Sequence, residues 1–379
     1  MARFAFLTWD GAGNQPPAVG MAQALIERGH RVVFAGYGSQ QAYFAARDLR
    51  LVLLRGAAGR WQQLSLPEMF GVKVRATWAA AEHLLDVPSL LSEERPDAVV
   101  VDCMMFGALA ALESADVPTM VLVHSAPGAL FPPGGAFEAR LLDAVNGVRD
   151  AAGRPPLESL WDAWRPFPTI CTTVRELDPL GASIPPSFDY VGPIAERETK
   201  SAWHSPWDAD DRRPLVLVSF STGPYWDQRS RIERTLLALA NRPYRVLVTP
   251  GKADVSGMAT VANASFSVGL SHSLVLPFAA ITVTHAGHGT VAASLLHGVP
   301  LVCLPNQAGD QPALGAQVQA LGAGLSLDGE TATPYAIAHA VELVLSRPSH
   351  VASARALASV IAKAPGVAAA VDRLESLGR

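Results

Sequence analysis

The chain has 379 residues, of which 49% are hydrophobic and 17% charged, so it can bury a large core and is long enough for two domains. Its formal net charge of −4 provides no basic surface for nucleic acid and no polybasic signal for a membrane. The three cysteines, Cys103, Cys171 and Cys303, lie far apart in apolar or strand-like surroundings, which predicts reduced core residues rather than disulfides or metal ligands.

The N-terminal part of the chain alternates short apolar runs with a helical pattern. Strands are predicted at residues 2–8 and 31–36, and apolar residues recur between them at helical spacing over residues 18–28. Such a strand-helix-strand unit needs a right-handed crossover and a parallel sheet. Because the chain enters a strand at once and no stretch reaches the roughly 18 apolar residues of a membrane span, we expect a cytoplasmic protein without a membrane segment.

Polar residues and glycines follow several predicted strands of this first half. The first loop holds Asp10 and Asn14, and a later apolar strand ends at Asp102. A Gly- and Pro-rich loop follows the predicted strand at residues 118–124, and residues 136–165 are predicted to be helical. Since ligands of α/β sheets bind at the carboxyl ends of the strands, we expect a site among these loops.

The most polar segment of the chain, residues 195–214, is the predicted domain boundary. We expect an N-terminal domain at residues 1–200 and a C-terminal domain at residues 214–362. The remaining residues, 363–379, are predicted to form a tail helix that packs back on the N-terminal domain. The predicted strands and helices alternate in both halves, which indicates two similar α/β domains that face each other across a cleft.

Two polar loops in the second half are the strongest candidates for a binding site. The loop at residues 285–290 lies between a strand and a helix, where unpaired N–H groups and the helix dipole favour an anion. Gly287 and Gly289 let the backbone approach a phosphate, and Thr290 adds a hydroxyl. One crossover later, Asp310 and Gln311 offer groups that pair with the hydroxyls of a polyol.

Three short motifs of the second half resemble the donor-binding motif of family-1 glycosyltransferases. They are HAGHGT from position 285, GVP at 298–300 and GDQP at 309–312. These enzymes have the GT-B fold and use nucleotide sugars, and the bacterial branch that tailors antibiotics is the most similar. The resemblance implies two Rossmann-like parallel-sheet domains, of which the first binds a small aglycone and the second the nucleotide sugar. It also implies inverting transfer, in which attack at the anomeric carbon expels the nucleoside diphosphate.

The family motif assigns donor-binding roles to a set of residues in the second half. The Ser-Thr-Gly turn after the strand at residues 215–220 looks like the family's diphosphate turn, and the segment 269–277, with His272, looks like its base-binding segment. His285 is expected to contact the diphosphate as a hydrogen-bond donor or as a cation, and the amides at 287–290 to stabilise the leaving group. The full predicted donor set is Ser221, Thr222, Ser271, His285, Gly287, His288, Gly289, Thr290, Asp310 and Gln311.

The family's catalytic base has no direct counterpart in this chain. The first loop resembles the family's Gly-His-x-x-Pro loop, but Asn14 follows Gly13, and an asparagine does not accept a proton at neutral pH. Asp102 lies where the family has the aspartate that polarises the histidine. Asp10, on the same loop as Asn14, is therefore the predicted base, since a carboxylate in a partly dry cleft can serve an acidic phenol or enol. The alternative is an aspartate that only caps a turn.

A departure from the family predicts the nucleotide. A glutamate eight positions after the motif histidine binds the ribose hydroxyls in uridine-diphosphate enzymes, and here that position is Ala293. We therefore expect a thymidine-diphosphate deoxysugar donor. The alternative is that Ala293 packs on an inward helix face and another residue contacts the ribose.

The sequence gives no metal-ligand spacing and no cofactor motif. The Asp-Ala-Asp pattern at residues 208–210 lies in the polar linker without a preceding apolar strand, so transfer is predicted to be independent of metal, with the nucleotide sugar as co-substrate. The expected partners are that donor and the aglycone, together with a second copy of the chain in a homodimer. Two other functions stay open: a sugar-nucleotide epimerase of the same fold, and a non-catalytic nucleotide-binding homologue that assists another transferase.

Overall fold

The computed structural model describes residues 1–63, 71, 74–197, 203–220, 228–259, 261–307 and 309–378. The chain divides into two compact units. Unit 1 comprises residues 1–173, 182–197 and 365–379, and unit 2 comprises residues 174–181 and 198–364.

Unit 1 is built on a seven-stranded parallel sheet with the strand order β3-β2-β1-β4-β5-β6-β7. Its strands are β1 (Arg3–Leu7), β2 (Arg31–Gly36), β3 (Leu51–Leu53), β4 (Ala98–Asp102), β5 (Thr119–Val123), β6 (Thr169–Cys171) and β7 (Phe188–Tyr190). The first seven described helices are α1 (Gln15–Glu27), α2 (Gln41–Ala45), α3 (Arg55–Gln63), α4 (His83–Glu94), α5 (Phe106–Leu112), α6 (Pro127–Leu130) and α7 (Ala136–Ala151).

Unit 2 is built on a six-stranded parallel sheet with the order β10-β9-β8-β11-β12-β13. Its strands are β8 (Leu215–Ser219), β9 (Arg245–Thr249), β10 (Ala264–Phe266), β11 (Ala279–Thr284), β12 (Leu301–Cys303) and β13 (Gly324–Ser326). Its described helices are α8 (Gln228–Leu239), α9 (His272–Val275), α10 (His288–Leu296), α11 (Gln311–Ala320), α12 (Pro334–Ser346) and α13 (Pro348–Ala362). The chain ends with α14 (Gly366–Leu377), which belongs to unit 1.

The central strands are buried on both faces, as a parallel sheet between helices requires. In β4 every residue is buried, from Ala98 through three valines to Asp102. In β11 the last four residues are buried, and Ile281 and Val283 enter the core of unit 2. These apolar runs determine where the strands lie. Because parallel strands end at the same edge, the polar residues that follow them lie at the carboxyl edge of each sheet.

The C-terminal helix α14 packs on α1 at the surface of unit 1. Its buried residues Ala370, Val371 and Leu374 join the same apolar core as Met21 and Leu25 of α1. At the rim, Arg28 reaches Asp372 at 2.6 Å and His30 reaches Glu375 at 2.8 Å. Apolar contact therefore holds the helix in place, since exposed ion pairs contribute little.

One stretch, Pro348–Leu377, is long and apolar enough by length and composition to cross a membrane, with a mean hydropathy of 1.3. It is not an uninterrupted apolar run, since it contains Arg355 and Lys363. The stretch consists of α13 and α14, with Pro365 at the start of the second helix. Buried residues of α13 join a core cluster of unit 2 and those of α14 join the core of unit 1, so packing within the protein accounts for their apolar faces.

Three local predictions differ from the structure. The helix predicted over residues 136–165 ends at Ala151, because Gly153 has a left-handed conformation and two prolines follow it. The loop predicted at 285–290 is shorter, because α10 begins at His288. The short strand β13 was not predicted, because its three residues carry no clear alternation.

Candidate active site

The carboxylate of Asp102 is the centre of a polar cluster at the carboxyl edge of the unit 1 sheet. Its Oδ1 atom accepts hydrogen bonds from the indole Nε1 of Trp9 at 2.9 Å and from the backbone N–H of Met104 at 3.0 Å. Its Oδ2 atom accepts from Nδ2 of Asn14 at 3.3 Å. The side chain is only 3% exposed. These donors hold a buried carboxylate in one orientation, as a buried charge requires.

His124 is the fourth side chain of this cluster, and it was not among the predicted site residues. Its Nδ1 atom lies 2.8 Å from Oδ2 of Asp102. Strand β5 pairs with β4 so that Asp102 lies opposite Leu122, which places His124 just beyond the strand end and beside the carboxylate. The neighbouring strand ends thus form an aspartate-histidine pair, which only the pairing of the strands reveals.

Burial and the carboxylate act in opposite directions on the His124 imidazole. Burial alone would lower the pKa of His124, but the negative charge of Asp102, together with a smaller contribution from Cys103, raises it well above 6.5. The Cys103 Sγ atom lies 3.6 Å from Nδ1, and burial raises the pKa of its thiol, which therefore stays protonated. The interaction that controls His124 is therefore the one with Asp102.

The structure brings Asn14 to Asp102 and leaves Asp10 outside the cluster. Asn14 precedes α1 and is 2% exposed, and its Nδ2 donates to Thr8 and to the backbone of Trp9 as well as to Asp102. Its Oδ1 atom is buried without a partner among the described residues. Asp10 is half-buried and makes no hydrogen bond within the described part of the chain.

A chain of aromatic rings extends from the polar cluster into unit 1. Trp9, which contacts Asp102, packs edge-on against Trp78 with centroids 5.4 Å apart, and Trp78 packs edge-on against Phe137 at 6.1 Å. Phe137 stacks on Phe131 at 5.4 Å with nearly parallel rings, and Phe131 in turn contacts Trp164. The cluster therefore lies beside a continuous aromatic region.

Three groups of this cluster bring metal-ligating atoms within 4.8 Å of one another, namely Asp102, Cys103 and His124. The atoms that would bind a metal are engaged in hydrogen bonds or remain protonated. Both carboxylate oxygens of Asp102 accept from N–H groups of the protein, and the Cys103 thiol stays protonated. A metal needs a deprotonated thiolate and free lone pairs, so the donor set fits proton transfer better than metal binding.

In unit 2, the loop between β11 and α10 carries the predicted anion site. Ala286 has a positive φ of 64° and turns the chain sharply after the strand, and Gly287 precedes the first helical residue, His288. The first-turn N–H groups of α10 therefore point out of the helix start, except that the N–H of Thr290 donates to the carbonyl oxygen of Gly287 at 3.1 Å. A Cβ on Gly287 would lie 2.3 Å from Nε2 of His285, so the ring of His285 lies directly over this glycine.

His285 is buried and neutral. Burial lowers the pKa of His285 to about 4, a backbone hydrogen bond to Ser219 partly offsets this, and the charges of Arg231 and His272 lower it further. Its Nδ1 atom lies 3.4 Å from the hydroxyl of Thr284. Of the two roles that the sequence leaves open for His285, the free protein therefore favours the hydrogen-bonding one over the cationic one.

Residues from the adjacent strand ends surround this loop. Nε2 of His272 lies 2.9 Å from Oγ of Ser219 at the end of β8 and 3.3 Å from Oγ1 of Thr249 at the end of β9. Ser271 precedes α9, and its hydroxyl lies 3.3 Å from that of Ser273. These contacts place the predicted base-binding segment against the sheet edge. The predicted Ser221 and Thr222 lie outside the described residues.

The loop between β12 and α11 contains Asp310, Gln311 and a further polar residue that the sequence analysis did not assign. The backbone N–H and Nδ2 of Asn306 donate to Oε1 of Gln311 at 3.0 and 2.7 Å, which fixes the Gln311 amide. Asn306 is fully buried, and its Oδ1 atom has no partner among the described residues. Asp310 directly precedes α11. A buried acceptor without a donor is costly, so Asn306 marks a place where a ligand donor fits.

Comparison with known proteins finds glycosyltransferases that are similar to this chain. Residues 254–377 match the family described as erythromycin biosynthesis protein CIII-like, C-terminal domain, and residues 13–150 match the glycosyl transferase 4-like domain. The chain is 27% identical to 4'-demethylrebeccamycin synthase of Lentzea aerocolonigenes, with 99% of each chain covered. It is 28% identical to demethyllactenocin mycarosyltransferase of Streptomyces fradiae, with 80% of this chain and 71% of that protein covered.

Solved structures confirm the predicted GT-B fold. The glycotransferase of kitacinnamycin matches with a TM-score of 0.78 and 20% identity, covering 100% of this chain and 99% of that one. The glycosyltransferase VinC, solved in complex with DTDP, matches with a TM-score of 0.70 and 17% identity, covering 99% of each chain. The resemblance to family-1 glycosyltransferases that the motifs indicate is confirmed by these matches taken together.

Proposed function

Since this chain is a family-1 glycosyltransferase of the GT-B fold, we propose that it moves a sugar from a nucleoside-diphosphate donor to a hydroxyl of a small natural-product aglycone. The transfer inverts the anomeric carbon and uses no metal. Residues of unit 2 bind the donor, and residues of unit 1 bind the aglycone and accept its proton.

The observation that carries this proposal is the polar edge of unit 2. A diphosphate needs hydrogen-bond donors, and here the start of α10 supplies backbone N–H groups next to the neutral ring of His285. Asn306, with its unpartnered Oδ1, and the fixed amide of Gln311 add an acceptor and a donor for sugar hydroxyls. A phosphate-bearing polyol satisfies both sets of groups.

The departing diphosphate gains negative charge as its bond to the sugar breaks. N–H groups at a helix start are already oriented toward that charge and lose little energy in reorganisation. This stabilisation is the usual task of a metal in other transferases, and it supports metal-independent transfer here.

The aglycone class follows from the aromatic region of unit 1. The rings of Trp9, Trp78, Phe137 and Phe131 pack into a continuous apolar region beside the Asp102 cluster, and of these four Phe137 is only half-buried. Aromatic and polyketide aglycones bury apolar area against such rings and place a hydroxyl near the polar end. Two relatives are named for rebeccamycin and lactenocin, which supports a natural-product acceptor.

The nucleotide is proposed to be thymidine diphosphate. Ala293 is half-buried on α10 and packs against the apolar cluster of Val275 and Leu276, so no carboxylate stands at this position to accept a ribose 2′-hydroxyl. The related VinC structure contains DTDP. Measuring kcat/KM for one sugar on both nucleotides tests this: thymidine preference is expected, Ala293→Glu should move the ratio toward uridine, and a clear uridine preference in the natural protein contradicts it.

The function is tested by incubating the full chain with a panel of nucleotide sugars and aromatic polyketide acceptors in the presence of a chelator. We expect a glycosylated acceptor and free nucleoside diphosphate by mass spectrometry. Isomerisation of the donor without acceptor would instead show an epimerase. Donor binding by calorimetry without any turnover across the panel would show a non-catalytic homologue.

A further inference from the structure

We infer that His124 is the catalytic base that takes the proton from the acceptor hydroxyl, and that Asp102 is its positioning residue. This inference rests on the proposed function. In the family that the chain resembles, the residue at position 14 is a histidine that removes the acceptor proton. This chain has an asparagine there, and His124, directly after β5, takes that role.

The carboxylate of Asp102 contacts both the residue at position 14 and His124. Its Oδ2 atom is contacted both by Nδ2 of Asn14, at 3.3 Å, and by Nδ1 of His124, at 2.8 Å. The same carboxylate oxygen can therefore orient a ring that approaches from either side. In this chain the ring comes from β5, and Asn14 supports the carboxylate as a neutral donor.

The contact with Asp102 determines the tautomer of the neutral His124 ring. Both oxygens of Asp102 accept hydrogen bonds from N–H groups of Trp9, Asn14 and the backbone of Met104, and Oδ2 also accepts from Nδ1–H of His124. The lone pair of the neutral ring is then on Nε2. This atom has no hydrogen-bond partner in the described part of the chain, is not fully enclosed, and belongs to a side chain that is 12% exposed.

Asp10, the base predicted from the sequence, differs from His124 in its hydrogen bonds. The structure gives Asp10 no orienting hydrogen bond within the described residues and no contact with Asp102. A general base needs a fixed position within reach of the proton, and a second group usually orients it. His124 meets both requirements from its own unit, whereas Asp10 meets neither.

The acceptor oxygen forms a bond to the anomeric carbon, while the bond from that carbon to the diphosphate oxygen breaks and its electron pair leaves with the diphosphate. The hydroxyl proton moves to Nε2 of His124, and the resulting imidazolium keeps its Nδ1–H bond to Asp102. The carboxylate stabilises the positive charge that forms on the ring.

Two ionisable groups face the ring in the structure, the Asp102 carboxylate on β4 and the Cys103 thiol directly after it. The thiol stays neutral, so the carboxylate sets the basicity of the ring. Transfer should therefore increase with pH through a midpoint above 6.5, as His124 loses its proton and becomes a base.

The test compares His124→Asn with a matched control, His204→Asn, at an exposed position of unit 2. An asparagine amide at 124 can still donate to Asp102 from the place of Nδ1, but it has no Nε2. If the ring acts as the base, His124→Asn should lower kcat/KM by about 10²–10⁴-fold, while the control keeps the activity of the natural protein. Asp10→Asn, measured in parallel, should lose less than His124→Asn.

Three measurements distinguish a catalytic role of His124 from a structural one and from a failure of the proposed function. Donor affinity by calorimetry and thermal unfolding should be the same in His124→Asn as in the natural protein. Retained transfer in His124→Asn, or a larger loss in Asp10→Asn, would overturn the assignment. A natural protein that glycosylates no acceptor in the panel would refute the proposed function instead, since the His124 comparison requires a measurable natural rate.

Discussion

Each of the two sheets has a histidine immediately after one of its strands, and the pKa values of the two histidines are shifted in opposite directions. His124 follows β5 beside Asp102, and its pKa is raised well above 6.5. His285 follows β11, has the backbone of Ser219 and the hydroxyl of Thr284 as neighbours, and has a pKa of about 4. The comparison shows that the residue at the end of the adjacent strand decides what such a histidine does.

The adjacent strand is β4 in unit 1 and β8 in unit 2. The first ends in an aspartate, whose charge raises the pKa of the neighbouring imidazole against the effect of burial. The second ends in a serine, which brings no charge, so burial lowers the pKa of the His285 imidazole and leaves it a neutral hydrogen-bonding group. A neutral ring suits a site for a diphosphate that already has helix N–H groups. A basic ring suits a site that must remove a proton.

The largest effect on transfer is expected when the carboxylate of Asp102 is removed. Asp102→Asn should lower kcat/KM by about 10²–10⁴-fold, since the ring loses both its orientation and the charge that stabilises its protonated form. Burial then acts on His124 alone, so the midpoint of the pH-rate profile should move down from its position above 6.5. A profile measured on the residual activity checks this, and an unchanged midpoint would contradict it.

The depressed pKa of His285 predicts an acid-sensitive unit 2. The unfolded chain binds a proton near pH 6.5 whereas the folded chain does so only near pH 4, so this contribution to stability is complete above pH 6.5 and is lost as the pH falls toward 4. The full effect is on the order of 3 kcal/mol. Hydrogen exchange of unit 2 between these pH values measures it, and His285→Gln should flatten the slope.

The same pH series allows the stability of unit 1 to be compared with that of unit 2. His83 in unit 1 is also buried with a pKa lowered to about 4, so unit 1 should lose stability in the same range through a different residue. His285→Gln should therefore leave the slope of unit 1 unchanged. A slope that disappears in both units at once would show that the effect does not come from His285.

Two glycines, two and four positions beyond His285, provide a smaller and more local test. Gly287→Ala places a methyl group 2.3 Å from the His285 ring and should weaken donor binding by roughly tenfold, the equivalent of about 1.4 kcal/mol of overpacking. Gly289→Ala meets no atom within 4 Å and should leave affinity unchanged while favouring the helix. Calorimetry with the nucleoside diphosphate measures both, and equal effects of the two variants would contradict the geometry.

The sequence predicted the strands and the polar loops well because the central strands are continuous apolar runs that end at polar residues, as at Asp102 and Thr284. It did not predict His124, because that residue appears in the sequence only as the end of an apolar strand. Its role depends on the pairing of β4 with β5, which sets Asp102 opposite Leu122. Asn306 was missed for a similar reason, since its contact with Gln311 forms only when the loop after β12 folds back on α11.

The pKa values of the two histidines in the free protein test this account most directly. Nuclear magnetic resonance of the ¹⁵N-labelled imidazoles, with His124→Asn and His285→Gln to assign the signals, follows each ring as the pH changes. We expect the His124 ring to lose its proton above pH 6.5 and the His285 ring to stay neutral down to about pH 4. Two rings that both titrate near 6.5, or that titrate in the opposite order, would contradict the claim that the strand-end carboxylate sets their roles.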